Sequence, residues 1–309
     1  MSYRKLFVFS FLSTVVCLSF FASSSIFQKH SQLAYSQHEH DLQSNDSRYT
    51  SKNDMSNTLL EQFRKIVLDQ GLSKDDSKKN SSIFGSNIAV PIVVGIITPN
   101  GTQVSGYGNI SNFNPTRVDG NTVFDIASIS KTFVAVILAD MVNQGLVNLN
   151  DTIEMYLPVD SVTVPSFDGH KITLESLATH TSGLPDFPVG WIRNHSYTPQ
   201  QVYDFISNTN LTGIPGTKSS YSDIGMGLLG HILSLKSGVS FDQLVRDRIL
   251  NVLGMDSTGM RIKSSEISVP DDIKSRFAQG HIAGKVVNLE FIPDTIQSAG
   301  AMYSTANDL

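Results

Sequence analysis

The sequence predicts an α+β fold. Three observations carry it: a strand, turn and strand pattern between Ile88 and Gly108, a helix over Ser128–Asn143 whose apolar residues run nearly all the way round, and a mainly helical stretch from Asn148 to Met260 broken by glycine- and proline-containing loops. With 309 residues, 40% of them hydrophobic and 17% charged, the chain is long enough for one large domain or two small ones with a sizeable core. A formal net charge of −5 supplies no basic stripe to neutralise phosphates, so nucleic-acid binding is excluded.

At the N-terminus, Tyr3-Arg4-Lys5 form a short basic region and the run from Leu6 to Phe27 carries no charge, the pattern of an export signal. Small residues at Ala22-Ser23-Ser24-Ser25 fit signal-peptidase cleavage, while residues 6–27 are also long enough to stay as a single membrane anchor. Residues 1–25 are therefore expected to be a signal peptide or an anchor, and the protein to be secreted or held at the cell surface. The one cysteine, Cys17, lies inside the apolar run, so the exported part holds no disulfide and no thiolate metal site. Thr14-Val15-Val16 lack the small residues that precede a lipidated cysteine, which leaves Cys17 as a buried apolar residue.

Residues 26–56 turn polar and cannot bury enough apolar surface to offset the entropy of ordering, so a flexible tether is expected. His38-Glu39-His40 within it lacks a fixed third ligand, and no metal site is expected. Asn-x-Ser/Thr sequons begin at Asn45, Asn80, Asn100, Asn109, Asn150, Asn194 and Asn210, usable only outside the cytoplasm.

The folded domain is expected over residues 57–309. Leu59, Leu60, Phe63, Ile66, Val67 and Leu68 recur at helical spacing up to Gly71, and a lysine- and serine-rich link follows from Ser73 to Ser82. Ile88–Thr98 then reads as a buried strand, Pro99-Asn100-Gly101-Thr102 as a turn and Gln103–Gly108 as the return strand. In the helix from Ser128, residues Ile129, Phe133, Val134, Val136, Ile137, Leu138, Met141 and Val142 cover nearly the whole circumference, which places it in the interior, and Gly145 is its stop signal. Further helices are expected at Pro199–Asn208 and Ile224–Leu235.

The chemistry centres on Ser128 and Lys131, one helical turn apart and so on one face. A serine hydroxyl is a weak nucleophile until a base takes its proton, and a lysine desolvated at a helix N-terminus is a usable base. The same helix end, with the Ser128 N–H, can stabilise an oxyanion. Ser-x-x-Lys alone is unspecific, since Ser2 and Lys5 repeat it within the export signal; an N-capping serine followed by a surface lysine has the same spacing.

Context comes from Gly216-Thr217-Lys218-Ser219-Ser220-Tyr221-Ser222-Asp223-Ile224-Gly225, a glycine-bounded loop that presents a tyrosine and an acid before a helix. Ser128-x-x-Lys131 followed by Tyr221-x-Asp223 resembles the first two active-site motifs of class C β-lactamases, D-alanyl-D-alanine carboxypeptidases and related esterases. His180-Thr181-Ser182-Gly183-Leu184, Asn150-Asp151-Thr152-Ile153, Leu253-Gly254-Met255 and the segment from Ser298 to Leu309 are similar to that family too, so the resemblance spans Leu59–Leu309. It implies an α/β sandwich in which an antiparallel sheet is flanked by helices and joined to a mainly helical subdomain. It also implies that Ser128 attacks a carbonyl to form an acyl-enzyme, that Lys131 accepts or relays its proton, and that Tyr221 assists as a second acid/base. A tyrosine, with an ordinary pKa of about 10, serves as phenolate only if a nearby cation lowers it, and Lys131 is the candidate. Asp223 and Gly300 are the expected substrate-binding positions. No metal or organic cofactor is implied, and the partner is a small-molecule or peptide substrate.

Two features depart from the family pattern. β-Lactamases have asparagine at the position of Asp223 and use its amide to bind the substrate's amide carbonyl, a hydrogen bond that a carboxylate cannot donate. Asp223 is expected instead to pair with Lys131, keeping it charged and favouring Tyr221 as the base, which turns the expected substrate from β-lactams towards an ester or a D-amino-acid amide. The third family motif, a Lys/His-x-Gly strand that supplies the second oxyanion donor, is expected after Leu309. Gly280-His281-Ile282-Ala283-Gly284-Lys285 lies too early and lacks the spacing. The chain is accordingly expected to be truncated at its C-terminus, with an unpaired edge on the Ile88–Gly108 hairpin. Loss of one oxyanion donor lowers a rate by about 10²- to 10³-fold. Two functions stay open on the sequence: an extracytoplasmic serine hydrolase, and a non-catalytic surface module that keeps the fold and binds a peptide or envelope ligand. His180 is expected to be structural, a helix end turning into a loop beside the site, and His231 an ordinary helix residue.

Overall fold

A computed structural model describes residues 90–98, 101–111, 113–188, 197–263, 266–267, 269–282, 285–287 and 294–309. The expected leader, the tether and the helix at Leu59–Gly71 lie outside the described residues. The described chain falls into two units, one ending at Gly120 and one running from Asn121 to Leu309.

The first unit is built on a hairpin. Strand β1 (Ile92–Thr98) pairs antiparallel with β2 (Gly101–Tyr107), from Ile92 opposite Tyr107 to Thr98 opposite Gly101. Among the described residues the strand begins after Pro91, which has no N–H for a ladder; Ile88 lies outside them. The turn is also tighter than the sequence pattern predicts. Only residues 99 and 100 separate the paired positions, the commonest hairpin connection, and Gly101 at φ 129° already belongs to the ladder. Val90, Ile92, Val93, Val94 and Ile96 are buried. Gly106 is needed for a close approach, because a Cβ there would lie 1.8 Å from the Val118 carbonyl oxygen where the chain folds back along the hairpin. Among the described residues these two strands pair with no third.

The second unit opens with β3 (Val123–Asp125), a 3-10 turn (Ala127–Ile129) and helix α1 (Ser130–Asn143). The regular helix thus starts two residues after Ser128, because Ala127 has φ 43°, outside helical space. Ser130, Lys131, Phe133, Val134, Ile137, Leu138 and Met141 form its buried stripe, while Thr132, Ala135, Val136 and Ala139 face outward. The helix is therefore one-sided, not fully interior; single exposed Ala and Val residues are ordinary on a protein surface. Gly145 (φ 68°) ends it as expected, with the Gly145 N–H on the Val142 carbonyl and the Leu146 N–H on that of Met141.

The middle of the chain holds one small sheet that departs from the mainly helical expectation. β4 (Ser166–Phe167) and β5 (His170–Lys171) are joined by Asp168-Gly169, both at positive φ as a two-residue Asp-Gly turn requires. Helices follow where the sequence marks starts and stops. α2 (Leu174–Ala178) is closed by a capping box between Thr173 and Ser176, and α3 (Pro199–Ser207) by one between Thr198 and Gln201. α4 (Asp223–Ser237) is capped by Ser222 and ended by Gly238 at φ 76°. α5 (Phe241–Val245) runs through a π turn (Arg246–Leu250) into α6 (Asn251–Leu253).

The remaining elements are β6 (Gly259–Met260), β7 (Ile262–Lys263), β8 (Glu266–Ile267), α7 (Asp271–Lys274), β9 (Gly280–Ile282), β10 (Lys285–Val287), a 3-10 turn (Asp294–Ala299) and β11 (Met302–Thr305). β11 is the centre of a three-stranded antiparallel sheet, with Tyr303 opposite Asp125 of β3 on one side and Gly259 of β6 on the other. Helix α4 is the hub of the unit: α1, α2, α5 and the Asp294–Ala299 turn all pack on it, and Ile224, Leu228, Leu229, Ile232 and Leu233 are fully buried. Gly227 and Gly230 permit the contact with the turn. A Cβ at Gly227 would lie 2.5 Å from the Ile296 Cβ, and one at Gly230 would lie 2.2 Å from the Ser298 Oγ. This architecture is of the α+β class, with helices and antiparallel sheets.

Candidate active site

Ser128 sits where β3 gives way to α1, on a turn fixed from both sides. The Asp125 carboxylate accepts the Ala127 N–H at 3.0 Å and pairs through its other oxygen with Arg261 Nε at 3.2 Å; Arg261 is buried. Ser130 Oγ donates to the Ala127 carbonyl at 2.6 Å and accepts the Met302 N–H at 3.2 Å, while the Ile126 N–H reaches the Met302 carbonyl at 3.0 Å. These bonds hold Ala127 in left-handed backbone space, a conformation that costs about 1–3 kcal/mol and persists only where its surroundings over-determine it. The Ser128 N–H lies in the first turn, where helical N–H groups lack intrahelical partners.

Lys131 is one turn further on and buried. Its Nζ donates to Ser128 Oγ at 3.0 Å and to the Ala299 carbonyl at 2.6 Å, and forms an ion pair with Asp223 Oδ1 at 2.6 Å. Asp223 Oδ1 is buried and accepts no hydrogen bond of good geometry, so the charge of Lys131 is what compensates it. The amine thus has two hydrogen-bond acceptors and one carboxylate partner. The same Nζ lies 4.9 Å from the centre of the Tyr221 ring, within cation–π range.

Tyr221 reaches Ser128 from the other side, its hydroxyl 2.7 Å from Ser128 Oγ. With Lys131 donating to that oxygen, the serine hydroxyl hydrogen is free to point at Tyr221. The loop that carries Tyr221 is pinned to the segment after α2. The Gly216 N–H bonds the Thr181 carbonyl at 2.9 Å and the Ser220 N–H the His180 carbonyl at 2.7 Å, while the Ser222 N–H meets His180 Nδ1 at 3.1 Å. Ser222 Oγ also donates to the Pro185 carbonyl at 2.7 Å and accepts the Gly225 N–H. Asp223 is the first residue of α4, where the exposed N–H groups favour a carboxylate. Its own N–H is taken by Asp186 Oδ1 at 3.2 Å.

Four of the five positions expected from the sequence therefore converge: Ser128, Lys131, Tyr221 and Asp223. Gly300 does not join them. It is buried in the turn before β11 and donates its N–H to the Gln297 carbonyl, so it offers no donor to a substrate; its neighbour Ala299 reaches the site instead, through a carbonyl. That carbonyl, the Asp186 side chain and the His180 ring are the parts that sequence reasoning missed. A backbone oxygen has no sequence signal, and Asp186 is marked only by following Pro185. His180 does lie at a helix end beside the site, as expected, but its ring also stacks on Tyr221 with centroids 4.7 Å apart. Burial, and after it the charge of Lys131, holds the His180 imidazole below its ordinary pKa. His231 is a satisfied helix residue: Nε2 pairs with the Tyr203 hydroxyl at 2.6 Å, and burial pushes its pKa down to about 4. Among the described residues no group of three or more His, Cys, Asp or Glu side chains is placed to hold a metal ion.

Known proteins share this arrangement of segments. Residues 84–309 match the family described as β-lactamase. The D-alanyl-D-alanine-carboxypeptidase/endopeptidase AmpH of Escherichia coli (strain K12) is 33% identical over 180 residues, which cover 57% of this chain and 46% of that protein. A β-lactamase from Pseudomonas fluorescens is 31% identical over 199 residues, 63% of this chain and 51% of the relative. The chain spans about half the length of these curated relatives. The crystal structure of a β-lactamase/D-alanine carboxypeptidase from Pseudomonas syringae is similar with a TM-score of 0.63 at 25% identity, covering 82% of this chain and 62% of that one. The matched residues include Ser128, Lys131, Tyr221 and Asp223, and the chain belongs to the β-lactamase family.

Proposed function

We propose that this chain carries the nucleophile and the proton-transfer groups of a serine hydrolase that works outside the cytoplasm and cleaves an ester or a D-amino-acid amide or peptide through an acyl-enzyme. The observation that carries the proposal is the place of Ser128 Oγ, 2.7 Å from the Tyr221 hydroxyl oxygen and 3.0 Å from Lys131 Nζ. The mechanism requires Tyr221 to act as a phenolate; Lys131 Nζ lies 4.9 Å from the centre of its ring. Ser128 gives its proton to the Tyr221 oxygen as Oγ bonds to the substrate carbonyl carbon, and the carbonyl electron pair moves onto its oxygen, for which the Ser128 N–H is a donor. The intermediate collapses, the leaving group departs with the proton from Tyr221, and the acyl-enzyme remains. Water then gives a proton to Tyr221 and attacks the acyl carbon, and Ser128 recovers its proton as the acid product leaves.

Asp223 supports the choice of substrate. Its carboxylate is committed to Lys131 and has no hydrogen to donate to the amide carbonyl of a β-lactam. Names of the relatives, carboxypeptidase as well as β-lactamase, fit both amide classes, and the uncharged run after Tyr3-Arg4-Lys5 supports export.

The test is labelling of the purified exported part with a fluorophosphonate and a fluorescent penicillin, followed by turnover of short-chain p-nitrophenyl esters, with Ser128→Ala alongside. The expected result is labelling and ester turnover that the substitution abolishes. Turnover unchanged in Ser128→Ala would sink the mechanism, and a wild-type chain that neither labels nor turns over would leave the non-catalytic binding module standing.

A further inference from the structure

Among the described residues, His180 holds the Tyr221 loop on both sides of the tyrosine, by its carbonyl and by its ring, and the ring also touches the tyrosine itself. Its carbonyl holds the Ser220 N–H at 2.7 Å and its Nδ1 holds the Ser222 N–H at 3.1 Å, while its ring stacks on Tyr221 at 4.7 Å with an interplanar angle of 29°. His180 itself is at φ 58°, in left-handed space just past the end of α2, which is what aims the carbonyl and the ring towards one loop. Ser222 caps α4, so whatever moves Ser222 also moves Asp223.

We propose that neutral His180 is a positioning residue that holds Tyr221 against Ser128, and that protonation of its Nδ1 breaks this hold and switches the reaction off. The inference rests on the role proposed above for Tyr221. An Nδ1 that accepts the Ser222 N–H cannot carry a proton, so the imidazole hydrogen is on Nε2. A proton added at Nδ1 would set two N–H groups against each other and place a second cation beside Lys131. The charged groups acting on the ring are Lys131 from α1, Asp223 from α4 and Asp186 from the loop after Pro185; Tyr221 is the titratable group in direct contact. The two carboxylates favour the imidazolium, but burial and Lys131 outweigh them, so the neutral ring prevails at neutral pH. The proposed hold is therefore complete above the ordinary histidine range and lost as pH falls below it.

The experiment uses the full chain and p-nitrophenyl ester turnover from acid to alkaline pH, with His180→Ala, His180→Asn and Tyr221→Phe. Asparagine tolerates left-handed backbone and offers an oxygen where Nδ1 stood, but it does not titrate. Expected are a kcat about tenfold lower in His180→Ala with KM within about twofold of wild type, recovery of most of that kcat in His180→Asn, and in His180→Asn an acid limb that loses the His180 step and keeps only the step set by the catalytic base. An acid limb unchanged in His180→Asn overturns the proposal, and that profile decides alone if His180→Ala does not fold. An inactive Tyr221→Phe beside a fully active His180→Ala removes the role of His180 and leaves that of Tyr221. A fully active Tyr221→Phe, or a wild-type chain without turnover, removes both.

Discussion

Replacing Asp223 by asparagine is the sharpest single perturbation of the site, because it changes one charge and one hydrogen-bond donor while keeping the shape. At the 2.6 Å separation of Lys131 Nζ and Asp223 Oδ1, two unit charges attract by about 6 kcal/mol at an effective dielectric of about 20. Most of that attraction is offset. The Asp223 side chain is 33% exposed, Lys131 keeps the Ser128 and Ala299 acceptors, and the asparagine carbonyl still presents a dipole, so a net loss of about 1–2 kcal/mol of stability is expected. Thermal unfolding should show this as a midpoint lowered by several degrees.

The catalytic consequence separates two substrates. An amide at position 223 can donate to the amide carbonyl of a β-lactam, and one such bond, worth about 1–1.5 kcal/mol, corresponds to about tenfold in rate. A fluorophosphonate makes no use of that donor. The ratio of second-order labelling rates, fluorescent penicillin over fluorophosphonate, should therefore rise about tenfold in Asp223→Asn relative to wild type, even if both absolute rates fall. Measuring the ratio cancels general damage to Ser128 activation. A ratio that stays at the wild-type value would refute the claim that the carboxylate steers the site away from β-lactams.

Two further outcomes are expected from the packing. Gly230→Ala should lower stability by about 1–3 kcal/mol in urea unfolding and reduce ester turnover, because the added Cβ would lie 2.2 Å from Ser298 Oγ and must push away the turn that brings the Ala299 carbonyl to Lys131; a variant as stable and active as wild type would show that the turn yields freely. His231 should make the fold acid-sensitive. Burial pushes its pKa down to about 4, below the ordinary value of about 6.5, so its contribution is complete above about 6.5 and is lost as pH falls towards 4, on the order of 3 kcal/mol in all. A Tyr203→Phe/His231→Leu double variant should lose stability less steeply across that window, and slopes equal to wild type would refute the assignment.

Much of the site was legible because its chemistry depends on local spacing. Ser128 and Lys131 are one turn apart on a continuous segment, so their meeting follows from helical geometry alone. Caps and stops were legible for the same reason: Gly145 ends α1, and Pro199 opens α3. Where local pattern and tertiary setting disagree, the sequence misleads. α1 looks apolar all round, yet only one stripe is buried, and the four residues of β11, central to its sheet, carry no strand signal that stands out within the Ser298–Leu309 segment. Gly300 looked like a ligand position because it sits in a family-like segment, but its N–H is spent inside its own turn.

By itself the sequence determined the turn that carries Ser128, the identity of the groups around it and the presence of a carboxylate at Asp223, since these are matters of residue type and short-range spacing. Only the tertiary structure decided what those groups do to one another. Tyr221 comes to Ser128 across 93 residues, the expected pair of Asp223 with Lys131 closes at 2.6 Å, a backbone carbonyl from Ala299 adds a further acceptor for the lysine, and His180 clamps the loop. The physical reason is that a proton-transfer site is set by distances of about 3 Å between groups on separate elements. Such distances are fixed by how α1, α4 and the Asp294–Ala299 turn pack, including two glycines whose function is to have no side chain.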